Sequence, residues 1–340
     1  NHKASYDLVK KMRASFWVLA PLLAKSGYAE VSLPGGCAIG TRPIDLYLKI
    51  LKEMSINYTI NNGYVVAKRE APIKGLNFKL EKKSVGCTHF FIMLACLANG
   101  TSILSNASCE PEVIHLGLLL NKMGAKIKGL GSKRIIIEGV KKLNGVTETI
   151  PSDRIETGTF AIAVSATGGK VKLENTNYEE NKLLFEILEK TGSIINKSKD
   201  SISIEKNLNK IYATNIITSP YPGFPTDLQA QIMALMTISN GKSQIKENIF
   251  ENRFMHVQEL VRMGANIKLD KDKAIIKGVK KLNGANVMAT DLRASASLII
   301  AGLVAAGTTK ISRIYHLDRG FYNLESKLNN CGASIKRISE

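Results

Sequence analysis

The chain has 340 residues, 44% of them hydrophobic, and a formal net charge of +18. That length supplies core for two domains, and no apolar run is long and clean enough to span a membrane. Five cysteines without a C-x-x-C pair, and five dispersed histidines, argue against a disulfide framework or a zinc site. With 36 Lys against 11 Arg and no basic stripe interleaved with aromatics, the charge reads as a solvated lysine surface rather than a nucleic-acid face.

The amino terminus, Asn1-His2-Lys3-Ala4-Ser5, has no signal-peptide pattern and no initiating Met, so the natural chain is expected to begin upstream. Arg13 and Trp17, the only tryptophan, stand four residues apart, a spacing that puts both on one helix face. A structural cation–π pair and a ligand contact are both open there. Residues 33–43, Leu-Pro-Gly-Gly-Cys-Ala-Ile-Gly-Thr-Arg-Pro, hold too many helix and strand breakers for either element. They predict an exposed loop carrying Cys37 and Arg42, in which the cation favours the thiolate, although an incidental Cys in a turn is the plain alternative. Lys82-Lys83-Ser84-Val85-Gly86 offers a hydroxyl, backbone N–H groups and positive charge just before a helix. Phosphates bind at such places, and Ser is equally a commonplace N-cap.

From here the chain repeats. A small-residue helix over 91–98 closes at Gly100, and a strand follows at 101–104. A polar loop, a helix over 113–120, Gly124-Ala125 and a hairpin of 126–128 with 134–138 complete the unit. Met123-Gly124-Ala125 through Gly139-Val140-Lys141-Lys142-Leu143-Asn144-Gly145 is nearly superimposable on Met263-Gly264-Ala265 through Gly278-Val279-Lys280-Lys281-Leu282-Asn283-Gly284. Fainter copies place the second marker residue at 55, 192 and 332, and a second glycine marker recurs at 27, 100, 169, 241 and 307. These are five copies of one β-α-β-α-β-β unit, too long for the common solenoids. If lobes hold three units each, a sixth is expected before residue 1.

Further along, Phe224-Pro225-Thr226-Asp227 sets a carboxylate at a helix start, either an N-cap or first-turn charge or a general base. Glu251-Asn252-Arg253-Phe254-Met255-His256 is a dense charged and aromatic loop. Asp291-Leu292-Arg293 and Asp318-Arg319-Gly320 each put an Arg beside an Asp. Surface ion pairs explain these plainly; several Arg in equivalent loops also suggest one anionic ligand, since the guanidinium fork fits carboxylate and phosphate.

These motifs, with Asp153-Arg154-Ile155-Glu156-Thr157-Gly158, resemble the UDP-N-acetylglucosamine enolpyruvyl transferases along the whole chain. The resemblance implies an α/β fold of two inside-out barrel lobes of three repeats each, five of the six present here. The expected domains are 1–152, an incomplete first lobe with the Cys37 loop, and 153–340, the second. It implies enolpyruvyl transfer from phosphoenolpyruvate to the 3'-hydroxyl of UDP-N-acetylglucosamine with release of phosphate, the first committed step toward peptidoglycan. Cys37 is then the general acid and Asp227 the base, with Arg319 also catalytic. Arg42, Arg253, Arg293 and Arg319 hold the donor anion. Lys82, Ser84, Val85 and Gly86 hold the acceptor diphosphate, with Arg13 and Trp17 nearby. Pro43, Asp45 and Leu46 flank uracil, and Ile249 and Phe250 the sugar. No metal or organic cofactor, nucleic acid or membrane is implied, and a monomer in the bacterial cytoplasm is expected. The family's Lys-Asn pair has no counterpart after residue 1, so this stretch alone is expected to be impaired. Cys109 stands where better-known members have Arg. The alternatives are the shikimate-pathway enolpyruvyl transferase, which lacks the Cys37 loop, and a non-catalytic basic binding protein.

Overall fold

The computed structural model describes residues 2–35, 44–207 and 210–338. Cys37, Arg42 and Pro43 lie outside the described residues. The chain forms two compact units, one up to residue 150 and one from 151.

The first repeat contains β1 (Lys3–Ala4), α1 (Tyr6–Val9), a 3-10 segment (Arg13–Val18) running into α2 (Leu19–Ser26), β2 (Tyr28–Ser32), α3 (Asp45–Glu53) and the hairpin β3 (Asn57–Asn61) with β4 (Tyr64–Lys68). Its sheet runs β1-β2-β4-β3, parallel at β1/β2 and antiparallel elsewhere. The second repeat has β5 (Asn77–Lys79), α4 (Val85–Ala95), β6 (Thr101–Ser105), α5 (Pro111–Lys122), β7 (Lys126–Lys128) and β8 (Arg134–Glu138), ordered β5-β6-β8-β7. The unit order is therefore β-α-β-α-β-β. The central helix begins at Val85, six residues before the expected start, so Val85 and Gly86 form its first turn rather than preceding it.

The second unit opens with α6 (Arg154–Thr167), β9 (Gly169–Glu174), a 3-10 turn (Tyr178–Asn181), α7 (Lys182–Lys190), β10 (Ile194–Lys197) and β11 (Ser201–Lys206), whose sheet is β10-β11-β9. Next come β12 (Ile216–Ile217), a 3-10 turn (Thr226–Leu228), α8 (Gln229–Thr237), β13 (Lys242–Lys246), α9 (Val257–Arg262), β14 (Asn266–Asp270) and β15 (Lys273–Lys277), ordered β12-β13-β15-β14. The last repeat has β16 (Leu282–Asn283), β17 (Asn286–Met288), α10 (Leu292–Val304), β18 (Ala305–Ala306), β19 (Lys310–Ser312), a 3-10 segment (Ile314–Arg319) and α11 (Leu324–Asn330). Here β16 pairs with β18 and β17 with β19, both parallel. Residues 333–338 carry no strand.

The repeat markers have a backbone cause. The glycines at 27, 100, 169, 241 and 307 all have φ between +76° and +117°, and those at 124, 192, 264 and 332 between +93° and +100°. A side chain is strained there, so glycine recurs wherever the unit turns from helix to strand. Ser55 holds the same place in the first repeat at φ +58°.

Within the second unit α6, α8 and α10 pack on one another. All nine residues of α8 and eleven of α6 are buried. That is why these helices are rich in Ala, Ser, Thr and Leu with no polar stripe. Gly158 lets α6 closely approach α7 and the turn before α8, since a Cβ there would stand 2.5 Å from Leu228 and 2.9 Å from Leu184.

Candidate active site

In the first unit the chemistry gathers at the N-terminus of α4. Ser84 is the N-cap: its Oγ accepts from the Cys87 N–H at 3.2 Å, and its carbonyl accepts from Thr88 Oγ1 at 2.8 Å. Lys82 is exposed, and Ser84 and Val85 are half-buried beside buried Gly86. Trp17 Nε1 donates to Tyr47 Oη at 3.2 Å, and the Trp17 and His89 rings lie 4.8 Å apart. Tyr47 is wedged edge-on between Phe16 and Phe90. A Cβ on Gly86 would fall 2.1 Å from Tyr47 Oη and 2.9 Å from Trp17 Nε1, so only glycine lets this pair close over the helix.

Arg13 and Trp17 lie on a 3-10 segment, not an α-helix. At three residues per turn, positions four apart point about 120° from each other, so the expected shared face is lost. Asp45 and Leu46 open α3, Asp45 exposed and Leu46 half-buried. Cys109 is half-buried in the loop before α5. Two other thiols are silenced by their setting: burial pushes Cys87 up to about 11 and Cys96 up to about 12.

In the second unit three sequence-distant residues meet. Asp227 Oδ1 accepts from Arg253 Nη2 at 2.6 Å, and its Oδ2 accepts from Arg293 Nη2 at 3.2 Å. Arg253 is almost fully buried, Arg293 is half-buried, and Asp227 remains 42% exposed in its side chain. Burial works to raise the Asp227 pKa. Arg293, Arg253 and Arg154 outweigh it and hold the carboxyl well below the usual range.

Asp227 does not cap its helix: residue 225 is the cap position of the 3-10 turn, and no side chain bonds there. The adjacent Asp–Arg pairs expected in sequence are not formed as read. Asp291 instead caps α10 through the N–H groups of Arg293 (2.8 Å) and Ala294 (3.1 Å), which frees the Arg293 guanidinium for Asp227. Asp318 takes a fork from Arg337 at 3.0 and 2.8 Å, while Arg319 is exposed at the end of its 3-10 segment.

Ile249 and Phe250 are half-buried in the loop after β13, and the Phe250 ring lies 5.5 Å beneath the Arg253 guanidinium. His256 is buried behind Arg253; burial, with Arg253 adding to it against Asp291, lowers its pKa.

Sequence reading missed Glu247, which is buried. The alternation of β13 could have found it: Ser243 and Ile245 point inward, and 247 is next in that series.

The sequence matches the model of the family described as EPSP synthase (3-phosphoshikimate 1-carboxyvinyltransferase) over residues 1–328. The enolpyruvyl transferase NikO from Streptomyces tendae superposes with a TM-score of 0.86 at 21% identity, over 99% of this chain and 80% of that one. EPSP synthase from Acinetobacter baumannii superposes with a TM-score of 0.74 at 19% identity, over 97% and 79%. The α/β architecture is thus the enolpyruvyl transferase fold. Proteins named UDP-N-acetylglucosamine 1-carboxyvinyltransferase are far closer in sequence. That of Rhodopseudomonas palustris (strain BisB5) is 56% identical over 336 residues, covering 99% of this chain and 78% of that protein. That of Methylobacterium radiotolerans is 55% identical over 335 residues, covering 98% and 78%. The chain belongs to the UDP-N-acetylglucosamine 1-carboxyvinyltransferase family.

Proposed function

We propose that the protein transfers the enolpyruvyl group of phosphoenolpyruvate to the 3'-hydroxyl of UDP-N-acetylglucosamine, releasing phosphate and serving peptidoglycan synthesis. The observation that carries the reading is the Asp227 carboxylate shared by Arg253 and Arg293, in a chain 56% identical to a protein named for this acceptor. Addition needs a proton on the donor methylene and removal of one from the acceptor hydroxyl. Cys37 is assigned the first role and Asp227 the second. Elimination then removes a proton from the methyl group and expels phosphate from the tetrahedral ketal, restoring the double bond. Arg42, Arg253, Arg293 and Arg319 are assigned to the donor carboxylate and phosphate. The α4 N-terminus with Lys82, Ser84, Val85 and Gly86 is assigned to the acceptor diphosphate, because N–H groups and the helix dipole favour anions there.

The geometry bears on how Asp227 could act. Held by two guanidiniums, it is ionised but weakly basic. A donor anion that draws the arginines onto itself would weaken that hold and raise its basicity where the hydroxyl must be deprotonated. Residues 1–152 and 153–340 are assigned to the two lobes, supported by compact units that divide at residue 150. Among the described residues no helix is long and apolar enough to cross a membrane; a monomer in the cytoplasm is the proposed setting. Phosphate release by the natural full-length chain, measured with phosphoenolpyruvate and either UDP-N-acetylglucosamine or shikimate 3-phosphate, tests the reading. Release with the UDP-sugar alone is expected; release with shikimate 3-phosphate alone would replace it.

A further inference from the structure

Glu247 is only 4% exposed, and among the described residues it has no ion pair. A buried carboxylate without a cation is costly, and it persists where several donors satisfy it. Three do so here. Oε1 accepts from the N–H groups of Ile249 (2.8 Å) and Phe250 (3.2 Å), and Oε2 accepts from Thr226 Oγ1 (3.0 Å). One carboxylate therefore ties the loop after β13 to the turn before α8. Both ends of that tie reach Arg253: the Thr226 carbonyl accepts from its Nη2 at 3.4 Å, and the Phe250 ring lies beneath its guanidinium. Arg253 in turn grips Asp227, the neighbour of Thr226. A second clasp holds the same loop, the Asn248 N–H donating to buried Thr218 Oγ1 at 3.0 Å.

We propose that Glu247 is a positioning residue of the transfer site, holding the Asp227 turn and the Ile249–Phe250 loop in one geometry. This rests on the proposed function, and Glu247 acts through Thr226, Phe250 and Arg253 rather than on the substrates. A misplacement of about 1 Å in such a shell is enough to cost on the order of a hundredfold in rate. The two arms separate the roles. The Thr226 arm serves Asp227 and so turnover, whereas the Ile249–Phe250 arm serves the acceptor sugar and so its KM.

Three variants test it in steady-state kinetics with both substrates. Glu247→Gln keeps the shape and most of the hydrogen bonding, and it is expected within about threefold of the parent. Glu247→Ala is expected to lower kcat at least tenfold and to raise the KM for UDP-N-acetylglucosamine. Thr226→Val is expected to lower kcat with the acceptor KM unmoved. The double variant should be no worse than Glu247→Ala, because one tie is cut twice. A structural role would lower thermal stability but leave both constants unchanged below the melting range. Should Glu247→Ala not fold, Thr226→Val and Glu247→Gln carry the test. Glu247→Ala and Thr226→Val chains whose kcat and KM stay within twofold of an active parent, or single effects that multiply in the double variant, would overturn the proposal. A natural full-length chain releasing no phosphate with the UDP-sugar refutes the proposed function and this inference together.

Discussion

Replacing Asp227 by Asn removes the charge that two guanidiniums share while keeping the side-chain shape. One oxygen can still accept from Arg253 or Arg293, but the other position becomes an NH2 facing a second donor. One charge-assisted hydrogen bond is therefore lost, an effect of about 1.5–3 kcal/mol. The Asp227 side chain is 42% exposed, so solvent screening reduces the loss to roughly 1–2 kcal/mol. At about 2–4 °C per kcal/mol for a unit of this size, Tm should fall by roughly 2–8 °C. Turnover should fall far more, by about a hundredfold or beyond, as for loss of a general base. Donor binding should hold or tighten, because the carboxylate no longer competes for the arginines. The pH dependence carries a definite sign. The folded-state pKa is depressed, so the carboxylate's stability contribution is complete above the ordinary value of 3.8 and is lost as pH falls below it. The Tm gap between parent and Asp227→Asn should therefore narrow on acidification below that value. Phosphate-release kinetics, calorimetry with phosphoenolpyruvate, and thermal melts from pH 7 to 3 measure all three. Near-normal turnover, a tenfold weaker donor, or a gap that widens in acid would refute the reasoning.

Gly86→Ala should destabilise by about 1–3 kcal/mol, the scale of overpacking, and shift the emission of the only tryptophan, because the new methyl meets Tyr47 and Trp17; unchanged melting and emission would show that the pair can retreat. An epoxide mimic of the donor should label Cys37 and spare Cys87 and Cys96, whose thiols burial keeps protonated, and peptide mass mapping that finds the label on Cys96 would count against this. Asp291→Ala should cost about 1 kcal/mol by uncapping α10, with Asp291→Asn nearly neutral, a difference that denaturant titration resolves. His256 is buried and its pKa is lowered from 6.5, so the unfolded chain binds the extra proton first and stability should decline as pH falls below 6.5. Replacement by Gln should flatten that slope, and an equally steep slope in the variant would assign it to other groups.

Much of this protein is legible in one dimension. The five-fold repeat shows because the same left-handed backbone positions recur about every 70 residues, and glycine is the residue that occupies them without strain. The unit order follows from local chemistry: a glycine after most helices, alternation along the strands, and a hairpin turn at Gly129 to Ser132. The family likeness is carried by short loop motifs, which keep their spelling because they hold functional groups rather than core. Pairing was not legible. Asp227, Arg253 and Arg293 are 26 to 66 residues apart, and an adjacent Asp is always the nearer candidate on paper. Tertiary structure decided otherwise, since Asp291 spends its oxygen on helix N–H groups and Asp318 faces Arg337. Trp17 looked like the partner of Arg13 until a 3-10 segment replaced the expected α-helix and turned it toward Tyr47 and His89. Sequence determined the repeats, the turns and the list of chemical groups, because these depend on neighbours along the chain. Which group meets which depended on how α6, α8 and α10 pack and where the loops beyond them land, and that is set by burial across distances the sequence does not encode locally.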